Sequence, residues 1–267
     1  MPQIDGLRYH RRPTNGGFIA SCNDGAALAK GAYLVFLNND TVPQPGWLDA
    51  LLATFDAHAG VGLVGAQLVY PDGRLQEAGG VVFDDGSAWN YGRFDSPDDP
   101  RYASLRDADY CSGAAIAVPA ELFREAGGFD TRYAPAYYED TDLAFSLRAR
   151  GLRVLYQPAS RVVHLEGITS GTDTGSGAKA YQVRNRDVFA AKWKDALARQ
   201  PQAGSLPTAG SVVRPRRQIL VVDAETPRPD HDSASLRLVN LMRLLVDDDA
   251  HVVFLPADLR YAEGDTD

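Results

Sequence analysis

Apolar and polar stretches alternate along the chain in a way that predicts an α/β layer fold between residues 7 and about 200. Residues 33–37 form an uninterrupted apolar run, which is typical of a strand that is buried on both faces, and residues 61–70 are a second strand candidate. Shorter strand candidates lie at residues 7–10, 81–83, 110–118 and 154–156, and helical spacing predicts helices over 18–30, 45–55, 139–150 and 178–199. One domain with its own core therefore accounts for most of the chain.

The last quarter of the chain begins a second pattern. Residues 200–217 are rich in Pro, Gly, Ser and Arg, which is typical of a linker. A strand at 219–222, a helix capped by Ser233 over 236–246 and a strand at 252–255 then predict one βαβ unit. We therefore expect a domain over residues 1–199, a linker at 200–217 and a partial Rossmann-like domain over 218–267.

Charge and composition limit the kinds of partner that the chain is expected to bind. The 267 residues have a formal net charge of -8 and a pI near 5.1, which argues against nucleic acid as the main partner. No apolar run approaches the ~20 residues of a membrane span. The two cysteines, Cys22 and Cys111, have no metal-binding spacing and fit reduced thiols. We expect a cytoplasmic protein without a transmembrane segment, or one that is peripheral at the inner face of the membrane.

Asp40 is the first candidate for chemistry, because it directly follows the apolar run at 33–37. Open α/β sheets bind their ligands at strand ends of this kind. A carboxylate there suits Mg²⁺ or Mn²⁺, which is held jointly by the protein and by the phosphates of a substrate. The tripeptide Asn38-Asn39-Asp40 is also a common turn sequence, so the residues alone leave both interpretations open.

Three acids open the helix predicted at 139–150, namely Glu139, Asp140 and Asp142. Acids at a helix start complement the helix dipole, but such a cluster also suits a general base whose pKa is set by its neighbours. His164 follows a short apolar stretch and is either a structural imidazole or a metal ligand. The residues by themselves do not decide between these interpretations.

Taken together, these residues resemble the family 2 glycosyltransferases with the GT-A fold, in particular the bacterial branch that builds polysaccharides and rhamnose-containing glycans. The matching pieces, in chain order, are residues 15–18 with Asn23, residues 33–41, residues 45–48, Gly113-Ala114, residues 127–130, residues 138–143 and His164. The resemblance implies a mixed, mostly parallel sheet flanked by helices. Residues from 217 onwards resemble the start of a GT-B type glycosyltransferase domain.

The resemblance also implies the residues that hold the metal and the nucleotide. Asp40 corresponds to the last acid of the family's metal-binding motif. Asn38 stands at the first position of that motif and is a weaker ligand, so the divalent metal is expected to rest on Asp40 and His164. Asn38 and Asn39 are expected to lie near the ribose and phosphates of the nucleotide, and Asn23 is a further nucleotide-binding candidate.

The implied reaction is inverting transfer of a hexosyl or rhamnosyl group from a UDP-, dTDP- or GDP-sugar to a hydroxyl of a saccharide or lipid-linked acceptor. Asp140, with Glu139 beside it, corresponds to the catalytic base. The polar segment 84–110 is expected to form a substrate-binding loop or lid, in which Trp89 and Tyr91 either stack on a sugar ring or only anchor the loop. Two alternatives stay open, namely a nucleotidyltransferase of the same fold and a non-catalytic carbohydrate-binding or assembly module.

Members of this family begin with two strands and their helices, which form the wall for the nucleobase. No counterpart of these elements precedes Leu7. We therefore expect a domain that lacks its first strands, with weak donor binding and slow or no turnover by the 267-residue chain.

Overall fold

The computed structural model describes residues 6–165, 180–205, 217–248 and 250–258. The chain divides into two compact units, Met1–Val212 and Val213–Asp267. The helices of the first unit are α1 (Gly17–Leu28), α2 (Trp47–Ala57), α3 (Ala120–Glu125), α4 (Glu139–Ala149), α5 (Ala180–Lys192) and α6 (Lys194–Leu197). Its strands are β1 (Tyr33–Leu37), β2 (Thr41–Pro43), β3 (Val61–Val69), β4 (Leu75–Glu77), β5 (Gly80–Val82), β6 (Ala88–Asn90), β7 (Arg106–Asp107), β8 (Ala115–Pro119) and β9 (Arg153–His164).

One mixed sheet organises this unit. Its strand order is β1-β8-β3-β9-β2, with β4 beside β3 and β7 beside β9. Only β3 and β9 run parallel among the described strands of this sheet, and the other pairs are antiparallel. The expected α/β mixed sheet with helices is confirmed, whereas its mostly parallel character is wrong. An apolar run favours a strand that is covered on both faces, but it carries no information about the direction of the neighbouring strands.

Two apolar clusters form the core on the two faces of this sheet. Alternate residues of β8 enter different clusters, with Ile116 in one and Ala117 in the other. The larger cluster includes side chains from α1, α3, α4 and α5, and the smaller one includes Leu51 of α2. All nine residues of β3 are buried, including Gln67, and β3 lies within the strand predicted at 61–70.

Strand β1 departs from the expected burial on both faces. Leu34 and Phe36 are buried, whereas Val35 and Leu37 are 37% and 41% exposed. β1 is the terminal strand of the described sheet, and α3 packs against it on the side of Phe36 and Phe123. The apolar run therefore predicted the strand correctly, but its prediction that both faces of the strand are buried is wrong.

Two further predicted segments are corrected by the structure. Residues 7–10 are not a strand, because they pair with none of the described strands and leave Leu7 and Tyr9 largely exposed. The polar segment 84–107, predicted as a loop or lid, contains β6 and β7 and buries Tyr102. Tyr91 and Tyr102 pack into the core, whereas Phe94 is exposed, so this segment is part of the folded body of the unit.

The end of the first unit follows the predicted helix with one interruption. The helix predicted over 178–199 is divided into α5 and α6 at Trp193, and residues 178–179 lie outside the described residues. Part of the expected linker is folded, since the Asp84 N–H donates to the carbonyl of Pro201. The rest of that linker, residues 206–216, lies outside the described residues.

The second unit consists of β10 (Arg217–Asp223), α7 (Ser233–Asp247) and β11 (Ala250–Pro256), with β10 and β11 parallel. This confirms a βαβ order, whereas its assignment to a GT-B type domain stays a prediction. The helix is capped by Asp232, whose carboxylate accepts from the N–H of Ser235, and not by Ser233 as expected. Both cysteines are free thiols, and no helix among the described residues is long and apolar enough to cross a membrane.

Candidate functional site

Asp40 and His164 lie next to each other at one end of the sheet. Asp40 is in the turn between β1 and β2, and β2 pairs with β9 so that Thr41 stands opposite His164. The Leu165 N–H donates to the Asp40 carbonyl at 2.9 Å, which fixes the two chain segments together. His164 Nε2 lies 3.4 Å from Asp40 Oδ1, and the two side chains are 13% and 12% exposed. The structure therefore brings the two predicted metal ligands together.

The other ring nitrogen of His164 contacts a buried side chain from β4. Nδ1 lies 2.9 Å from Oε1 of Gln76, which is 2% exposed. With Oε1 of Gln76 as the acceptor, the matching tautomer of a neutral ring carries its hydrogen on Nδ1 and directs the Nε2 lone pair towards Asp40. Two acceptors that face each other are stabilised by a cation between them, whether a proton or a metal ion.

The donor set around Asp40 fits a divalent cation that also binds substrate oxygens. Among the described residues, no group of three or more His, Cys, Asp and Glu side chains is arranged to hold a metal ion. Mg²⁺-type ions take only one or two protein carboxylates and complete their shell with phosphates and water. Two neighbouring ligands about 2.1 Å from one ion lie roughly 3 Å apart, close to the 3.4 Å between His164 and Asp40.

Asp140 lies in the first turn of α4 and accepts hydrogen bonds from backbone groups. The N–H of Gly113 donates to Oδ2 at 2.8 Å, and the N–H of Thr141 donates to Oδ1 at 2.7 Å. Burial raises the pKa of Asp140, and these two donors act in the opposite direction. The carboxylate is only partly buried, so it combines restricted solvation with access to a reacting group.

A short segment, residues 112–114, joins the surroundings of Asp140 to those of Asp40. The Asn38 N–H donates to the Ala114 carbonyl at 2.9 Å, one residue from the Gly113 N–H that holds Asp140. The Ser112 N–H donates to Oε1 of Glu77 at 2.8 Å, next to Gln76 on β4. The predicted metal ligands and the predicted base are thus linked through these hydrogen bonds and the short backbone segments between them.

Glu139 has surroundings different from those of Asp140. It is 6% exposed, and its Oε2 has no hydrogen-bond partner among the described residues. Burial, and then the nearby charge of Asp140, raise the pKa of Glu139 well above its ordinary value. Burial and Glu139 together also raise the pKa of Cys22 to about 12. Burial thus disfavours the charged form of both acids, and among the described residues Asp140 has backbone N–H donors that oppose this effect directly at its carboxylate.

The chain reaches α4 through a conformation that non-glycine residues rarely adopt. Tyr137 and Tyr138 have φ values of 76° and 73°. The side-chain N–H₂ group of Asn185, on α5, donates to the carbonyls of Tyr133, Ala136 and Tyr137 at 2.7 to 3.0 Å. α5 therefore holds the backbone that leads into the acids of α4.

Asp142 points away from Asp140, into the contact between α4 and the last two helices of the unit. It is 3% exposed and accepts from the Tyr133 hydroxyl at 3.0 Å, from Trp193 Nε1 at 2.7 Å and from Lys192 Nζ at 2.7 Å. This third acid of the cluster therefore joins α4 to α5 and α6.

The remaining predicted site residues have mixed outcomes. Tyr91 is 6% exposed, with the Arg106 guanidinium 4.3 Å from its ring centre, so it anchors its segment and offers no face to a sugar. Trp89 is partly buried against Tyr91, and its contact with an acceptor stays a prediction. The amide of Asn23 makes two hydrogen bonds with the backbone of Phe129, which is a structural contact.

Asn38 and Asn39 stand beside Asp40, where Asn38 is partly buried and Asn39 is exposed. The contacts with a nucleotide that were predicted for Asn23, Asn38 and Asn39 stay predictions. Sequence reasoning missed Gln76 and Glu77, although two polar residues in the otherwise apolar stretch 75–83 were a signal for them.

Comparison with known proteins agrees with this geometry. Residues 1–111 match the model of glycosyl transferase family 2. This family 2 match includes Asp40, Gln76 and Glu77 and ends before Asp140 and His164. The chain thus has glycosyltransferase relatives, while the grouping of Asp140 and His164 with Asp40 rests on the structure.

The relatives include glycosyltransferases and a protein of O-antigen biosynthesis. The O-antigen biosynthesis protein RfbC of Myxococcus xanthus is 33% identical over 57% of this chain and 12% of its own length. The N-acetylglucosaminyl-diphospho-decaprenol L-rhamnosyltransferase of Mycobacterium tuberculosis (strain ATCC 25618 / H37Rv) is 28% identical over 65% of this chain and 61% of its own. A pre-mycofactocin glycosyltransferase of the same strain is 30% identical over 57% and 31%. The chain therefore spans only part of the length of these relatives.

Among solved structures, the crystal structure of GalNAc-T7 with UDP, GalNAc and Mn²⁺ superposes with a TM-score of 0.51 at 20% identity. The superposition covers 71% of this chain and 38% of the other. At this identity the similarity shows the fold, which is GT-A-like.

Proposed function

We propose that the first unit is the catalytic domain of an inverting glycosyltransferase that moves a sugar from a nucleotide diphosphate sugar to an acceptor hydroxyl. The observation that supports this most directly is the connection between Asp40 and Asp140 through residues 112–114. A cation site at Asp40 and a base at Asp140 would then share one hydrogen-bonded framework. Such a framework is what a reaction requires when its leaving group is a diphosphate and its nucleophile is a hydroxyl.

In the proposed reaction, Asp140 accepts the proton of the acceptor hydroxyl while the oxygen attacks the anomeric carbon from the face opposite the diphosphate. The bond to the diphosphate oxygen breaks as the new glycosidic bond forms, so the configuration at that carbon inverts. The N–H groups of Gly113 and Thr141 hold the carboxylate of Asp140 in place. Asp40 and His164 would hold a divalent cation, which when bound would supply positive charge for the leaving diphosphate.

The donor is proposed to be a UDP-, dTDP- or GDP-sugar, and the acceptor a saccharide or a lipid-linked saccharide. Both proposals rest on the relatives, whose names include O-antigen synthesis and a decaprenol-linked rhamnosyl transfer, and on the UDP and Mn²⁺ in the GalNAc-T7 structure. Asn38 and Asn39 are proposed to contact the diphosphate or ribose, because they adjoin Asp40 on the same turn.

The test compares wild-type chain with Asp140→Asn and Asp40→Asn, using these three donor classes with Mn²⁺ and identifying the product. Asp140→Asn should lower kcat by about 10²- to 10⁴-fold with little change in donor affinity. Asp40→Asn should abolish Mn²⁺-dependent donor binding. Asp49→Asn is the matched control, because Asp49 is also a first-turn acid but is exposed on α2.

The product decides between the reactions. A glycoside of inverted configuration supports the proposal, and a product that carries the nucleotide would indicate a nucleotidyltransferase instead. Retained configuration would rule out single displacement by Asp140. Full turnover by Asp140→Asn would remove that residue from the reaction.

A further inference from the structure

We propose that Gln76 is a positioning residue that fixes the orientation and tautomer of His164, so that Nε2 presents its lone pair to a cation shared with Asp40. The inference rests on the proposed function, because it concerns the same cation site. It adds a residue from a different strand that does not itself touch the cation.

The backbone of β4 explains how Gln76 reaches His164. In the pairing of β4 with β3, Leu68 stands opposite Glu77 and Val69 opposite Leu75, with a register shift between them. Gln76 is therefore the extra residue of a β-bulge. Bulges turn a side chain out of its regular direction, and they are frequent next to active sites. β3 in turn pairs with β9, the strand that ends at His164.

The bulge places the amide where the imidazole needs a fixed acceptor. Gln76 Oε1 lies 2.9 Å from His164 Nδ1, and the glutamine is 2% exposed. Histidines that ligate metals commonly donate their second N–H to a carbonyl or carboxylate, which sets the tautomer and raises the basicity of the ligating nitrogen. Without that acceptor, the proton of a neutral ring would move to Nε2 and donate to Asp40, which would block the cation from both groups.

The test uses two substitutions and a matched control. Gln76→Leu removes the acceptor at similar volume, and Gln76→Glu keeps an acceptor for Nδ1. Gln67→Leu is the control, because Gln67 is a buried glutamine on β3 whose hydrogen bonds go to Arg161, Tyr156 and the backbone at Pro97. Its loss should destabilise the fold to a similar extent without altering His164.

Two measurements are made on the full 267-residue chain. Binding of Mn²⁺ alone, followed by electron paramagnetic resonance of the free ion, should weaken about 10- to 100-fold in Gln76→Leu and stay within about threefold of wild type in the other two variants. In the metal-free chain at about pH 8, where imidazole is neutral, ¹⁵N NMR should show His164 protonated on Nδ1 in wild type. The proton should be on Nε2 in Gln76→Leu. His164→Gln assigns the signal.

The outcomes separate this inference from the proposed function. If wild type binds Mn²⁺ and Gln76→Leu binds it as well as Gln67→Leu does, the positioning role is wrong and the proposed site stands. If wild type binds no Mn²⁺, the proposed metal site is wrong, and the NMR comparison still decides whether Gln76 sets the tautomer. An unchanged Nδ1 proton in Gln76→Leu would overturn the inference.

Discussion

Replacing Asp142 with alanine tests whether an acid two residues from the proposed base serves structure alone. The carboxylate of Asp142 accepts hydrogen bonds from Tyr133, Trp193 and Lys192. Asp142→Ala leaves all three donors without this acceptor. We expect a large loss of stability in the first unit, because the contact joins α4 to α5 and α6.

The size of the loss follows from how far each donor is buried. Tyr133 is fully buried and Trp193 is partly buried, so each unpaired donor costs about 1 to 2 kcal/mol. Lys192 contributes less, because its side chain is 25% exposed and keeps an ion pair with Asp130 at 3.1 Å. The expected sum is about 3 kcal/mol, a large part of the ~5–15 kcal/mol that stabilises a typical domain.

Denaturant unfolding followed by tryptophan fluorescence measures this loss in the right unit. All three tryptophans, Trp47, Trp89 and Trp193, lie in Met1–Val212, so the signal reports no unfolding of the second unit. Asp49→Ala, at an exposed first-turn acid of α2, is the control. A loss for Asp142→Ala within about 0.5 kcal/mol of that control would refute the reasoning.

Three more changes have expected outcomes. Glu139→Gln should stabilise the chain relative to wild type increasingly as pH rises above about 4.3, because the raised pKa of Glu139 makes the folded state hold a proton that the unfolded state releases. Thermal melts of both proteins at several pH values measure this. A stability difference between them that does not change with pH would contradict the expectation. Asn185→Leu should cost about 2 to 3 kcal/mol in denaturant unfolding, because the carbonyl of Tyr133, which is buried, and those of Ala136 and Tyr137, which are partly buried, lose their donor. A stability equal to wild type would contradict this expectation. Gly65→Ala should destabilise the chain by about 1 to 3 kcal/mol, because the added Cβ would clash with the side chain of Cys111. Adding Cys111→Gly to that variant should restore part of the lost stability. If it restores none, this contact is not the cause of the loss.

Secondary structure was predictable where the apolar pattern was long and regular. The run at 61–70 became β3, and the helical spacing at 139–150 became α4. The failures have a shared cause, since an apolar residue type favours burial but does not ensure that another element covers the residue. Residues 7–10 have apolar side chains and no strand partner, and the face of β1 that bears Val35 is largely exposed.

The ionisable side chains of the candidate site could be predicted from the sequence, but the groups that position them could not. The pairing of β2 with β9 brings His164 next to Asp40, although the two residues are far apart in the sequence. A local sequence pattern does not predict such a pairing. Asp140 is held by the N–H of Gly113, and backbone N–H groups are common to all residues except proline. Gln76 acts from a β-bulge, and register shifts depend on the pairing of two strands. Such contacts arise from topology, which the order of residue types does not specify.

The three acids at the start of α4 show why equivalent positions in a sequence acquire different chemistry. The helix dipole favours a negative charge at each of them, so periodicity cannot tell them apart. Glu139 points into an apolar region where one oxygen has no partner among the described residues, which favours its neutral form. Asp142 accepts hydrogen bonds from a lysine and from two neutral donors, and these contacts connect α4 to its neighbouring helices. Asp140 is the acid of the three that combines backbone N–H donors with partial exposure, and this combination is why we propose it, and not its neighbours, as the base.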